Sequence, residues 1–432
     1  MSRAAPFLRH DDTQRLRDYI ERRLVILKRQ HIIGLDLIRF VCAAMVMFFH
    51  LAFWSWAPPI DVSTIRRLMP DVPQFPELTL IVSQGWVGVD IFFVLSGFVI
   101  AYSAEGSDAF AFFRSRFLRL MPAVWICASL VFAVLATGSI MPFKELSWLY
   151  IKTLVLIPEA PWIDPVYWSL CVEVVFYGFI LCLLLVNRFC QVAFFMGAIG
   201  IASALIWMLF EISNVMPSLS GSLLATLGRI YSWKAELLLL RHGCLFALGV
   251  YLWLLMFKGV TLRRLSIACV CFAGGFIEIL NTAQEQATEA GMHLPIAGPA
   301  VIWAIFIVMI IASVGMNDRM QARAGWLAPA FRMLGLMTYP LYLVHQTIGT
   351  ALMRTLHNLG TPRFVALFLA AAVCIFIGGI IAAAFEPLFK QRLRLVFASV
   401  AKWLDGNERI AFLFQATTPV YESFPIAPAI RS

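Results

Sequence analysis

The stretch GLDLIRFVCAAMVMFFHLAFWSW, residues 34–56, decides how the rest of the chain is interpreted. A helix that crosses a bilayer needs about 20 mostly apolar residues, and this stretch is long enough. It nevertheless contains Arg39 and His50. An arginine at the centre of a span costs roughly 2.5–3.5 kcal/mol on insertion scales, so charged groups in spans are rare and indicate a functional site.

Arg39 and His50 are predicted to share one face of this helix. They are eleven residues apart, which at about 100° per residue is close to three full turns and about 16 Å along the axis. Arg39 then lies near one membrane surface, and His50 lies past the midplane toward the other. A line of polar groups through the membrane predicts transfer between its two sides.

The composition is that of a membrane protein. The chain is 61% hydrophobic and only 14% charged, whereas soluble proteins contain about 25% charged residues. The net charge of +9 is typical of lysines and arginines in cytoplasmic loops, so we expect no nucleic-acid binding. The nine cysteines show no metal-binding spacing and predict packing residues in apolar runs.

The apolar runs predict an all-α fold, a polytopic membrane helix bundle of about ten transmembrane helices. The runs cover residues 34–56, 84–103, 119–137, 166–186, 191–211, 238–257, 263–280, 296–314, 336–353 and 363–385. Residues 146–157 are too short a run to span and predict an interfacial or re-entrant piece.

Charge predicts the orientation and the division of the chain. Lysines and arginines are concentrated in residues 1–33 and in the segments after even-numbered spans, so the positive-inside rule places both termini in the cytoplasm. Residues 1–33 form a basic N-terminal segment, either a helix on the membrane surface or a solvated tail. Residues 34–390 form the transmembrane domain, and residues 391–432 form a cytoplasmic tail.

Further polar residues stand in or beside the later spans. Asp90 lies in the second span, and a carboxylate there usually faces the bundle interior and has a partner. Arg116 and Arg119 form an R-x-x-R pair whose members share a helical face. They are either topology anchors or a pair suited to phosphates, because guanidiniums form bidentate bonds. The glycines of the second span predict close helix packing.

Two later stretches add candidates in the outer half of the membrane. Glu173 lies in the fourth span near the depth expected for His50, either as a hydrogen-bonded acid or as a partner that orients a histidine. Tyr339 and His345 lie on the ninth span, where His345 is either a core residue or part of an acceptor site.

Five motifs occur in order along the chain: LDLIRFVCAAMVMFFH, GVDIFFVLSGFVI, FRSRFLRLMP, WSLCVEVVFYG and LGLMTYPLYLVHQ. Together they resemble the motifs of acyltransferase family 3, multi-span membrane acyltransferases that modify bacterial cell-surface glycans and some small molecules. The likeness extends from about residue 34 to residue 390. Each motif alone is weak, and the combination of R-x10-H, R-x-x-R and WSLxxE makes the resemblance specific.

The resemblance implies a donor, usually acetyl-CoA, on the cytoplasmic side of the bacterial inner membrane and a glycan hydroxyl as acceptor outside. It implies no permanently bound cofactor, and no metal is expected because a thioester is already activated. It also implies that Arg39, His50, Arg116 and Arg119 are functional.

From these expectations follows a hypothesis for each candidate. His50 is either the general base for the acceptor hydroxyl or a nucleophile that is itself acylated. Glu173 or Asp90 fixes the tautomer of His50. Arg116 and Arg119 hold the CoA phosphates, and Arg39 guides the donor. Candidates for the acceptor site or its surroundings are Asp90, Trp168, Tyr339 and His345.

Two other classes of function remain compatible with the same residues. In a transporter, Arg39, His50 and Glu173 would form a substrate or proton relay, although no inverted hydropathy repeat is evident. In a structural or sensor protein the same charges would only pair with one another. Within the acyltransferases, the acceptor is either a glycan or a small molecule.

Overall fold

A computed structural model describes residues 31–138, 141–215 and 239–405, and within them every regular element is a helix. The helices used below are α1 Ile33–Phe49, α2 Gly88–Ala104, α3 Ala109–Thr137, α4 Phe143–Leu154, α5 Tyr167–Leu185, α6 Val192–Val215, α7 Gly243–Phe257, α8 Leu262–Ala290, α9 Ala297–Gly315, α10 Ala328–Asn358, α11 Arg363–Ile380 and α12 Glu386–Asp405. The predicted all-α fold is confirmed.

Nine helical segments of the described chain are long and apolar enough to cross a membrane. The sixth predicted span, residues 238–257, contains only the 15-residue apolar helix α7, which is about 22 Å long. The count of about ten therefore divides into nine long helices and one short one. The predictions for residues 1–30 and 406–432 lie outside the described residues.

The helices pack in two groups that meet along α1 and α2. In the first group, α10 contacts α1, α3 and α11. In the second group, α7 contacts α2, α6 and α8. Because α1 also packs against α2, polar side chains from both groups can meet inside the bundle.

Glycines permit the closest helix contacts, as the sequence predicts. A Cβ atom on Gly97 of α2 would lie 2.1 Å from the Phe246 carbonyl oxygen, and one on Gly249 of α7 would lie 2.0 Å from the Val94 carbonyl oxygen. A Cβ on Gly88 would similarly lie 2.7 Å from the Cys42 carbonyl oxygen on α1. Any side chain at these positions would separate the helices.

Helix α4 corresponds to the predicted short piece at residues 146–157. It has 12 residues, about 18 Å, which is too short to span. It packs against α3, while Phe143, Trp148 and Ile151 remain exposed. A short helix with one packed face and one exposed apolar face fits the predicted interfacial position.

Candidate active site

The α-helix α1 ends at Phe49, and a π-helical turn, His50–Trp54, follows at once. The backbone N–H of Ser55 donates to the His50 carbonyl oxygen over 3.0 Å, five residues back. Single π-helical turns are rare and occur frequently at functional sites. His50 is the first residue of this turn.

His50 contacts a second histidine. The His50 Nδ1 atom is 2.9 Å from His345 Nε2 and 3.0 Å from the Val46 carbonyl oxygen. His345 is fully buried, and its Nδ1 atom is 2.8 Å from the Tyr342 carbonyl oxygen. The Tyr342 hydroxyl is in turn 2.6 Å from the Ser169 hydroxyl of α5. The imidazole of His345 on α10 is thus held by Tyr342 in contact with His50 at the end of α1.

These contacts define one arrangement of protons for the neutral pair. A carbonyl oxygen only accepts, so His345 Nδ1 carries the hydrogen that binds Tyr342. His345 Nε2 is then an acceptor, and His50 Nδ1 must donate to it, with Val46 as a second acceptor. His50 Nε2 is left with its lone pair, which is the form that a general base or nucleophile requires.

His50 lines a cavity of about 270 Å³, which we call the tryptophan-lined cavity. Its aromatic and polar lining includes Trp54, Trp86, Trp168, Asp90, Arg241, His242, Glu285, Gln286, Glu289, Tyr342 and Gln346. Three indole rings together with carboxylates and amides offer both flat apolar faces and hydrogen-bonding groups. Trp168 and Asp90, two candidates for the acceptor site, therefore line the same cavity as His50.

Asp90, His242 and Glu278 form a buried cluster at this cavity. One potential ligand atom from each lies within 4.8 Å of the others, and this is the group within the described ranges that could hold a metal ion. His242 Nδ1 is 2.6 Å from Glu278 Oε1. Two other atoms of the cluster, Asp90 Oδ2 and His242 Nε2, are buried and have no hydrogen-bond partner among the described residues. The sequence interpretation did not identify His242 or Glu278.

A second, larger cavity of about 610 Å³ lies at the other end of α1, and we call it the basic cavity. Its basic side chains are Arg39, Arg116, Arg119, Arg332, Lys390 and Arg394. Asp36, Ser96, Glu173, Tyr177, Tyr339 and Tyr342 are among its other lining residues. The cavity therefore brings together the three arginines that the sequence predicted and three basic residues that it did not single out.

Ion pairs and hydrogen bonds hold Arg39 and Arg119 in place in this cavity. Arg39 Nη1 lies 3.2 Å from Asp36 Oδ1, and His31 Nε2 lies 2.5 Å from Asp36 Oδ2. Arg119 donates to the Gly335 carbonyl oxygen over 3.4 Å. A Cβ on Gly335 would lie 2.4 Å from the Asp36 carboxyl carbon, so only glycine allows α10 to approach both side chains.

Glu173 belongs to the basic cavity and not to His50. Its Oε1 atom accepts hydrogen bonds from the Tyr177 hydroxyl, over 2.6 Å, and from the Ser96 hydroxyl. The expected pairing of Glu173 or Asp90 with His50 is not observed, because His345 occupies that position. Depth along a helix was the reason for expecting the pairing, but depth does not report which side of the helix a neighbour occupies.

Tyr339 and His345 both lie on α10, but their side chains contact different parts of the site. Tyr339 lines the basic cavity, and its hydroxyl is buried without a partner among the described residues. His345 contacts His50. Val89 and Tyr342 line both cavities, so the two spaces approach each other beside the histidine pair.

Asp164, just before α5, was missed by the sequence interpretation because it lies outside the apolar runs. Its carboxylate accepts hydrogen bonds from the Thr347 hydroxyl and, over 3.1 Å each, from the backbone N–H groups of Thr347 and Val166. Complete burial raises the pKa of Asp164 to about 6, although these hydrogen bonds lower it. The hydrogen bonds between Asp164 and Thr347 connect the start of α5 to α10, and Thr347 is two residues after His345.

Comparisons with known proteins identify the family of the chain. A family model described as an acyltransferase domain matches residues 32–384. Nodulation protein 10 of Rhizobium leguminosarum bv. viciae is 29% identical over 220 residues, which are 45% of this chain and 55% of that protein. The chain therefore matches about half the length of this curated relative. No solved structure gives a significant match.

Proposed function

The chain belongs to acyltransferase family 3, and from this premise we propose that it transfers an acetyl group from acetyl-CoA to a hydroxyl of a glycan. The donor enters the basic cavity from the cytoplasm, and the glycan enters the tryptophan-lined cavity from outside the bacterial inner membrane. The observation that carries the proposal is the presence of these two chemically different cavities at opposite ends of α1, with the His50–His345 pair between them.

The basic cavity suits the donor because coenzyme A is rich in phosphate. Arg116 and Arg119 both line the cavity, as their shared helical face predicts. Charge-assisted hydrogen bonds from guanidiniums to phosphate oxygens are about twice as strong as neutral ones. Arg39 is held by Asp36 at the same wall, where it can guide the donor toward the bundle interior.

The tryptophan-lined cavity suits a sugar. Trp54, Trp86 and Trp168 supply large flat apolar surfaces, and such rings contribute much of the binding energy in apolar pockets. Asp90 and Glu289 supply acceptors for hydroxyl groups. Each good hydrogen bond between a charged group and a neutral partner contributes about 1.5–3 kcal/mol.

His50 is proposed as the general base because it lines the acceptor's cavity and keeps a lone pair on Nε2. Nε2 takes the proton of the acceptor hydroxyl while the hydroxyl oxygen attacks the thioester carbonyl carbon. The tetrahedral adduct then collapses, the C–S bond breaks, and the thiolate receives the proton from His50. The products are the ester and free CoA. In the alternative route Nε2 attacks the thioester first and carries the acyl group itself.

The test uses purified protein in lipid nanodiscs with labelled acetyl-CoA and hydroxyl-bearing oligosaccharides. We expect label in the glycan and one free thiol released for each ester formed. His293→Ala serves as a control, since His293 is exposed and lines neither cavity. Passage of substrate across the membrane without thiol release would favour a transporter instead.

The same preparation separates the two roles of His50. Incubation with acetyl-CoA in the absence of acceptor, followed by intact-mass measurement, leaves the protein unmodified if His50 is a general base. A mass increase of one acetyl group that disappears in His50→Ala would establish the acylated histidine.

A further inference from the structure

The basic residues of the basic cavity occupy two levels. Arg39, Arg116 and Arg119 are half-buried and line the wall formed by α1 and α3. Arg332 and Arg394 are exposed, and Lys390 is half-buried beside them. The second set therefore lies at the solvent edge of the cavity, and we call it the rim.

Helix α12 is held against α3 so that its basic residues stay beside the R-x-x-R pair. The Phe397 ring packs against Phe110, Phe113 and Phe117 of α3, with ring centroids 6.0, 6.3 and 5.5 Å apart. Lys390, Arg394 and Phe397 are spaced i, i+4 and i+7 and share one helical face. The packing of Phe397 thus directs the other two toward the cavity.

Among the described residues, one of the three rim charges is compensated by an ion pair. Lys390 forms an ion pair with Glu386. Arg332 and Arg394, by contrast, make no ion pair or hydrogen bond within the part of the chain that the structure describes. The inner level differs, because Arg39 is paired with Asp36 and Arg119 donates to Gly335. The rim consequently leaves two guanidiniums available for an anion.

Resting on the proposed use of acyl-CoA, we propose that Arg332, Lys390 and Arg394 form a separate binding site for a phosphomonoester, the 3′-phosphate of coenzyme A. The inner arginines then bind the pyrophosphate nearer to the acyl group. A phosphomonoester carries about −1.5 to −2 charges at pH 7 and three acceptor oxygens. Two planar guanidiniums with a lysine match this group in charge and in hydrogen-bonding geometry.

Lipid headgroups present the same phosphate chemistry at the membrane surface. Exposed arginines at a cytoplasmic boundary can hold such headgroups and only anchor the helix. The lipid headgroup and coenzyme A differ in one respect. The 3′-phosphate belongs to the coenzyme A molecule that would enter the cavity, whereas a lipid phosphate would bind independently of the donor. Binding of coenzyme A with and without the 3′-phosphate separates them.

The experiment measures binding of coenzyme A and of 3′-dephospho-coenzyme A by calorimetry on protein in nanodiscs of neutral lipid. In the wild type we expect coenzyme A to bind about 10–100-fold more tightly, equivalent to about 1.5–3 kcal/mol for a charged hydrogen-bonded contact. Arg332→Gln and Arg394→Gln should each lose most of this preference, and affinity for the dephospho compound should hardly change.

Arg392→Gln is the matched control, because Arg392 is an exposed arginine of the same helix that does not line the cavity. It should keep the full preference. Arg116→Ala should weaken the binding of both compounds equally and keep the preference for coenzyme A, because Arg116 is proposed to bind the pyrophosphate.

Equal binding of the two compounds by the wild type would overturn the rim site while leaving the donor assignment intact. A preference that persists in the Arg332→Gln, Arg394→Gln double variant would overturn it as well and return these arginines to lipid anchoring. Failure to bind either compound would overturn both this site and the proposed donor. Acyl transfer, assayed separately, tests the proposed function without reference to the 3′-phosphate.

Discussion

The two cavities at the ends of α1 differ in size and in the charge of their lining. The basic cavity, about 610 Å³, is lined by five arginines and one lysine, and the tryptophan-lined cavity, about 270 Å³, is lined by His50 and three tryptophans. The first is equipped to bind charge and the second to orient a neutral ligand for reaction. Under the proposed function, donor recognition and proton transfer would take place at opposite ends of one helix.

This separation explains the spacing of Arg39 and His50. Both residues lie on α1 or its π-helical extension, but Arg39 lines one cavity and His50 lines the other. Variants in one cavity should therefore alter one kinetic parameter and leave the other nearly unchanged.

The largest effect is expected from His50→Ala. Loss of a catalytic acid–base group typically lowers the rate by 10²–10⁴-fold. Affinity for acetyl-CoA should stay near the wild-type value, because His50 does not line the basic cavity. The measurement is kcat for acyl transfer together with calorimetric donor affinity. A variant with normal turnover would disprove the proposed mechanism.

The next effect concerns His345, which acts through His50. His345→Leu removes the acceptor for His50 Nδ1 and should lower kcat by about 100-fold, because a wrongly oriented base transfers protons poorly. His345→Gln keeps an acceptor oxygen and should recover part of the loss. Equal activities of the two variants would show that His345 is only a packing residue.

Arg116→Ala and Arg119→Ala should act on the donor alone. Each removes a charged hydrogen-bonding group of about 1.5–3 kcal/mol, so the KM for acetyl-CoA should rise about 10–100-fold. Arg119→Lys should restore the affinity only in part, since an ammonium lacks the planar fork. If donor affinity is unchanged and only expression falls, both arginines are topology anchors.

The smallest effect concerns Asp164, the buried carboxyl that precedes α5 and contacts Thr347 of α10. Burial raises its pKa to about 6 in the folded protein, whereas an exposed aspartate has a pKa near 3.9. Between these values the folded state binds more protons than the unfolded state, so the free energy of unfolding falls as pH rises through this window. Above about pH 6 this contribution no longer changes.

Asp164→Asn removes that titration. Melting temperatures measured from pH 4.5 to pH 7 should fall more steeply in the wild type than in the variant. Parallel curves would mean that Asp164 does not titrate in this range. The Thr347→Val variant, which removes one hydrogen bond to the carboxyl, should raise its pKa further and shift the fall to higher pH.

The sequence alone was enough to predict the acyltransferase family and the positions of the membrane-spanning helices. Nine of the ten predicted spans correspond to long helices, and the remaining one, residues 238–257, corresponds to the short helix α7. These predictions succeed because hydrophobicity is a local property, and a run of apolar side chains forms a helix in lipid whatever its neighbours are. The R-x-x-R pair was found for the same reason, since its two members are three residues apart.

Contacts between distant residues were decided only by the tertiary structure. His50 and His345 are 295 positions apart, so nothing in either segment indicated that one imidazole orients the other. Glu173 was assigned to His50 from depth, but rotation of α5 turns it toward Ser96 and Tyr177. The rim residues Arg332 and Arg394 come from two helices and meet only at the cavity. The sequence determined which residues cross the membrane, and the packing angles of the helices decided which side chains share a cavity, because those angles depend on all the contacting surfaces at once.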